Sequence, residues 1–165
     1  MTYTLEEFFA HAIAMEEEAA DRYLELADMM EAHRNDDVAK VFREMVHYSN
    51  LHRDSIRARA GSRALPKLKS WQYRWRHPPE VGDEDGFDYM MEPFHALMYA
   101  RANEMRSMKY YRSVAADAQD AELERLGNEF ADEEKEHVQA LDKWIAMTPR
   151  PSEPMQADPD ALEPV

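Results

Sequence analysis

Four long stretches of this chain carry apolar side chains at steps of three and four, the period of a helix that buries one face. The first runs over about 4–31, with Phe9, Ile13, Glu16, Ala20, Tyr23, Ala27 and Met30 on one stripe. The second runs over about 36–59, with Val38, Val41, Met45, Ser49, His52 and Ile56 on its stripe. Asp36 or Asp37 suits its N-cap and Gly61 its end. The third begins near Glu92 and Pro93, with stripe Leu97, Ala100, Glu104, Ser107, Met108, Tyr111 and Ala115. The fourth runs over about 120–147, with stripe Leu123, Leu126, Phe130, Glu134, His137, Leu141 and Ile145, and Pro149 stops it. Only 4 glycines occur in 165 residues, which fits an all-α chain.

The connections set the topology. A few residues separate the first two helices, and a few separate the last two, so each pair forms an antiparallel hairpin. The link between helices 2 and 3 spans about 60–91. A helix of ~25 residues is roughly 37 Å long, and extended chain advances ~3.3 Å per residue. The link can therefore cross the whole bundle. Its tryptophans and tyrosine are expected to pack on the helices. The expected organisation is one four-helix bundle, 1–148, followed by a flexible, proline-rich acidic tail, 149–165.

Charge and composition narrow the chemistry. The net charge of −14 opposes binding to nucleic acid or to an anionic membrane. The absence of cysteine excludes disulfides, thiolate metal sites and thiol catalysis. No segment has the apolar length of a membrane span, and the N-terminus lacks the pattern of a signal peptide. A cytoplasmic location is the expectation.

The two halves resemble each other. A shift of 88 places Glu16 on Glu104 and Tyr23 on Tyr111. A shift of 85 places Ser49 on Glu134 and His52 on His137. The loop between helices is the expected place for the three-residue change of offset.

Three Glu-x-x-His pairs occur: Glu44/His47, Glu92/His95 and Glu134/His137. Each places a carboxylate and an imidazole one helical turn apart, within reach of one metal ion. Spacing does not separate the three pairs, but the stripes do. Glu44 and His47 share a polar face with Lys40, Arg43, Asn50 and Asp54, and read as solvated. Glu92 and His95 flank a helix start, where capping or exposure is expected. Glu134 and His137 instead lie between Phe130 and Leu141, on the apolar stripe. Glu16 and Glu104 lie on apolar stripes too. A buried carboxylate must be paired, protonated or bound to metal. Glu16, His52, Glu104, Glu134 and His137 are therefore the candidate ligands, with iron, manganese or zinc as suitable ions. Boundary positions with hydrated heads, or a buried network of Glu–His and Glu–Tyr hydrogen bonds, are the alternatives. Glu17, Glu18, Glu133 and Glu136 read as solvated acids. Tyr23 and Tyr111 read as core residues, or as hydrogen-bond donors behind the ligands.

The ordered set AMEEEAADRY, VFREMVHYSNLH, ANEMRSMKYY and FADEEKEH, with the long crossover, resembles the rubrerythrin branch of the ferritin-like superfamily of di-iron carboxylate proteins. The resemblance covers about 5–58 and 93–146. It implies a ferritin-like bundle in which Glu16 and His52 serve one iron and Glu104 and His137 the other, with Glu134 as a bridge. Three departures stand out. Ser49 replaces the second bridging glutamate. Ser107 stands where rubrerythrins carry an additional glutamate, three residues after the helix-3 ligand. No cysteine-ligated electron-donor domain is present, so a redox-active form needs a separate donor. The resemblance implies a non-haem iron protein, with two ions or one, that reacts with O₂ or peroxide. Two other readings stay open: a metal-binding or storage protein without turnover, and a metal-free scaffold. A homodimer is expected in each case.

Overall fold

The computed structural model describes residues 3–75 and 90–151. Four helices make up the bundle: α1 (Leu5–Ala32), α2 (Asp36–Ala60), α3 (Pro93–Asp117) and α4 (Ala121–Met147). A single 3₁₀ turn, Ser70–Gln72, interrupts the described part of the crossover. No strand occurs among the described residues. The expected four-helix bundle and its two hairpins are present: α1 packs along α2, and α3 along α4. Of the expected crossover, 76–89 lies outside the described residues, as does 152–165 of the expected tail. No described helix is long and apolar enough to cross a membrane.

Local chemistry fixes the helix ends. Thr4 caps α1 in a reciprocal box: its hydroxyl accepts from Glu7 N at 3.1 Å, and its own N–H donates to Glu7 Oε2 at 2.9 Å. Asp120 caps α4 by accepting from the N–H groups of Glu122 and Leu123. The start of α2 differs from expectation. Asn35, not Asp36 or Asp37, holds the cap position. Its side-chain amide donates to the Met91 carbonyl at 2.8 Å, tying the first hairpin turn to the approach of α3. Asp36 and Asp37 fall in the first turn, where their charge complements the helix dipole.

Both hairpin turns contain three residues, 33–35 and 118–120. The change of offset is therefore not absorbed by a loop. It lies within the helices: counted from its turn, Glu104 sits three residues nearer than Glu16 does. The residue of α3 that matches Glu16 on this count is Arg101. Arg101 points to the surface and pairs with Asp142 of α4.

The core consists of two apolar clusters along the bundle axis. One contains Tyr23, Leu26, Met30, Val38, Phe42, Leu97 and Leu141. The other contains Phe8, Phe9, Met15, Ile56, Tyr111, Leu123, Leu126 and Phe130. Gly127 lets α4 approach α3 closely there: a Cβ would stand 3.0 Å from Ala115 Cβ and 3.1 Å from the Tyr111 carbonyl. The crossover packs on the second end only in part. Trp75 lies against Tyr110 and His11, and Tyr73 stacks on Trp75. Trp71 does not pack as expected and is 77% exposed.

Candidate metal centre

Six polar or charged residues are buried near mid-length on the helices: Glu16, Ser49, His52, Asn103, Ser107 and Glu134. Glu104 is half-buried beside them, and His137 is half-exposed at their edge. Each ligand candidate stands on its helix's apolar stripe, so burying the stripe turns it inward. All five candidates are thereby brought together.

Two contacts define the first side. His52 Nδ1 is 2.6 Å from Glu16 Oε1 and 3.4 Å from Glu134 Oε1. The second side is built around His137, whose Nδ1 is 3.2 Å from Glu104 Oε2 and 3.1 Å from Glu134 Oε2. Glu134 touches both imidazoles and is fully buried. The two rings meet edge to face, with centroids 5.2 Å apart. One ligand atom from each of His52, Glu134 and His137 lies within 4.8 Å of the others.

Electrostatics follows from burial and partners. Desolvation alone would lower both imidazole pKa values, but the carboxylates outweigh it. His52 is pushed up to about 12, chiefly by Glu16, with Glu133 and Glu134 adding to it. His137 is pushed up to about 10 by Glu104 and Glu134. Burial raises Glu134 well above the usual carboxylate range, and the nearby Glu104 charge raises it further. Burial likewise raises Glu16, against the pull of His52. Glu104 is held below its usual value by the His137 and Glu134 contacts, which exceed its own desolvation. The carboxylates thus favour positive charge between them, on the imidazoles or on a bound cation.

The donor set fits a divalent metal. It combines imidazole nitrogen with carboxylate oxygen, the chemistry suited to iron, manganese or zinc. Oxygens Glu16 Oε1 and Glu134 Oε1 are buried without an aligned hydrogen-bond donor, although His52 Nδ1 approaches both. Buried carboxylate oxygens that converge on one point beside an imidazole nitrogen are placed to hold an ion there.

Several sequence readings change here. Glu133 is not an ordinary solvated acid. Its Oε2 lies 3.2 Å from His52 Nε2, and its other oxygen accepts from Arg59. These contacts outweigh its desolvation and lower its pKa. Glu133 is therefore the partner on the far nitrogen of His52, the usual way an imidazole ligand is oriented. The sequence carries no signal for this, since Glu133 stands one residue off the apolar stripe of α4. Glu18 is also part-buried, and burial raises its pKa. Asn103 was missed altogether. It is fully buried and donates to the Tyr23 hydroxyl at 2.9 Å.

Tyr23 and Tyr111 are core residues. Tyr23 stacks on Phe42, with ring centroids 6.1 Å apart. Tyr111 meets Phe130 edge to face at 5.4 Å. Glu44 and His47 are exposed, as their polar face required. Glu92 and His95 form the expected cap, with Glu92 N donating to His95 Nδ1 at 3.2 Å. Ser49 is buried one turn from His52, as the repeat places it.

Ser107, three residues after Glu104 on α3, is fully buried.

A protein-family model described as Rubrerythrin matches residues 7–75. The crystal structure of an uncharacterized conserved protein from Magnetospirillum magnetotacticum MS-1 is similar at 62% sequence identity. The match covers 92% of this chain and 100% of that one, with a TM-score of 0.67. No curated protein matches.

Proposed function

Because this chain belongs to the rubrerythrin-like branch of the ferritin-like superfamily, we propose that its buried mid-bundle centre binds iron and reacts with O₂ or peroxide. The observation that carries this reading is Glu134. It is fully buried, touches both imidazoles, and keeps one oxygen without an aligned donor. His52 and Glu16 would hold iron on one side, His137 and Glu104 on the other, and Glu134 would serve both. Bound iron supplies the electrons for reducing an oxidant.

The protein's own part is electrostatic and positional. Glu133 holds Nε2 of His52 and leaves Nδ1 facing Glu16 and Glu134. Phe130 lies against the His52 ring, with centroids 6.3 Å apart, and shields that side from water. His137 and Glu104 face the half-open side, where a small oxidant would enter. This sequence has no cysteine, so it carries no thiolate-ligated iron site of its own to supply reducing equivalents.

A second reading has its own support. Ser49 offers no charge where the repeat calls for a carboxylate, which favours a centre that binds one ion, zinc or manganese included, without turnover. One experiment separates the two. The metal-depleted protein is loaded anaerobically with ferrous iron, counted for metal, and mixed with peroxide. Bound iron that oxidises at a rate above that of free ferrous iron supports the first reading. Bound iron that resists oxidation leaves the second, and no bound metal of any kind sinks both.

A further inference from the structure

Beside the His137 edge of the centre lies a half-open cavity of about 160 Å³. Met45 and Tyr48 of α2 form one wall, and Ala140, Leu141 and Trp144 of α4 the other. Glu104 and His137 line it as well, and among the described residues they are its only charged or titratable lining besides Tyr48. A well-packed interior leaves few voids larger than a water molecule. An apolar cavity of ~150 Å³ is large enough to take up benzene. The volume is therefore sufficient for a single six-membered ring.

The lining narrows the ligand further. Trp144 and Tyr48 present tilted rings with centroids 6.2 Å apart, a setting for edge-to-face contact with a third ring. The thioether of Met45 adds a soft contact that favours aromatic over aliphatic carbon. At the Glu104 end, a carboxylate accepts a hydrogen bond but offers none. Glu104 already meets His137; a ligand that puts a hydroxyl there gains a further charge-assisted hydrogen bond, whereas a purely apolar ring gains none.

We propose that this cavity binds a small aromatic alcohol of phenol size, with the ring packed against Met45, Leu141 and the edges of Tyr48 and Trp144, and the hydroxyl toward Glu104 and His137. The inference stands on the shape and lining of the cavity. It does not require that the neighbouring centre hold iron.

The test uses the full-length, metal-depleted protein and phenol as the probe. Calorimetric titration is expected to give saturable binding. The Met45 methyl and Trp144 indole resonances are expected to shift in step with it. Fluorobenzene, of similar shape but without the hydroxyl, should bind several-fold more weakly. Ala140→Phe fills the cavity from an exposed helix position and should weaken phenol at least tenfold while the helical signal stays unchanged. Absence of saturable binding would overturn the proposal, as would shifts located elsewhere or equal affinity for fluorobenzene. So would a dimer that buries Tyr48 and Trp144 and excludes phenol, since a second copy of the chain would then be the occupant. Each of these results is read without metal, so it leaves the iron reading to its own experiment.

Discussion

In the α1–α2 hairpin, Glu16 stands opposite His52 and touches it at 2.6 Å, and Ser49 adds no charge. In the α3–α4 hairpin, Glu104 and Glu134 face each other from opposite sides of the turn, with His137 one helical turn further along α4. The first side is closed: the His52 side chain is 8% exposed and held on both nitrogens by carboxylates. The second is open: the His137 side chain is 39% exposed and borders the cavity. A repeat that starts from one plan has become a centre with a buried anchor and an accessible edge. The difference arises from two local changes, the missing carboxylate at Ser49 and the three-residue displacement of Glu104 along α3.

The contrast is tested most strongly by removing each imidazole from the metal-free protein. His52→Ala leaves Glu16 buried without its cationic partner, and breaking a buried pair of this kind costs about 3–5 kcal/mol. His137→Ala removes a half-exposed group that water can replace, and about 1 kcal/mol is expected. Urea unfolding would give both values, and equal losses would erase the distinction between anchor and edge. The pH dependence has a definite sign. Both imidazoles bind protons more tightly in the folded state than in the unfolded chain. Their stabilisation is complete below the ordinary histidine pKa of about 6.5. It is lost as pH rises toward about 10 for His137 and about 12 for His52. The metal-free protein should therefore lose stability from neutral to alkaline pH, and His137→Ala should remove the earlier part of that loss.

Ser49→Glu tests the asymmetry from the other direction. A second carboxylate one turn from His52 would match Glu134 on α4. Metal analysis after loading should show a higher ion-to-protein ratio than the parent. The same variant should be less stable without metal, because it adds a buried carboxylate to a group of four. An unchanged ratio would mean that Ser49 is not where the symmetry was lost. A smaller effect is expected from Glu133→Gln. It keeps the side-chain shape but loses the charge behind His52. Loss of such a partner weakens metal binding by roughly 10–100-fold, and the low end is expected here because Glu133 is itself half-exposed. Competition against a metal chelator would measure it, and no change would make Glu133 only a surface partner of Arg59.

The bundle was legible because each helix announces itself by period, and because short and long links alternate. The five ligand candidates were legible for a related reason: a carboxylate on an apolar stripe is an exception that needs a cause. Glu133 was not, since it stands one residue off the stripe and reaches His52 only when α2 and α4 are packed side by side. Asn103 escaped for the same reason, as its partner Tyr23 is on another hairpin. The offset within α3 is visible in the repeat, but its place in a turn or in a helix is not. Sequence spacing cannot tell a longer turn from a displaced residue until the helix ends are fixed. The cavity has no sequence signal at all, because it is made by what three helices leave unfilled.

The turns themselves offer the mildest test of how far the two hairpins have diverged. They have equal length but different paths. In the first, Arg34 takes a left-handed conformation with φ of 60°. There Asn35 N donates to the Met30 carbonyl at 2.8 Å, and Arg34 N to the Glu31 carbonyl at 2.9 Å. That pattern closes a helix most comfortably on glycine. In the second, Ala118 leaves α3 with φ of −64°, which suits any residue. A side chain in the left-handed region costs roughly 1–2 kcal/mol, and glycine gives part of this back through the freedom of the unfolded chain. Arg34→Gly should therefore stabilise the protein by about 0.5–1 kcal/mol. Ala118→Gly gains nothing in the folded state and should destabilise by a similar amount. Opposite signs in urea unfolding would establish that the two turns hold their hairpins differently. The same sign for both would show that the turn conformations are alike and that the asymmetry is confined to the centre.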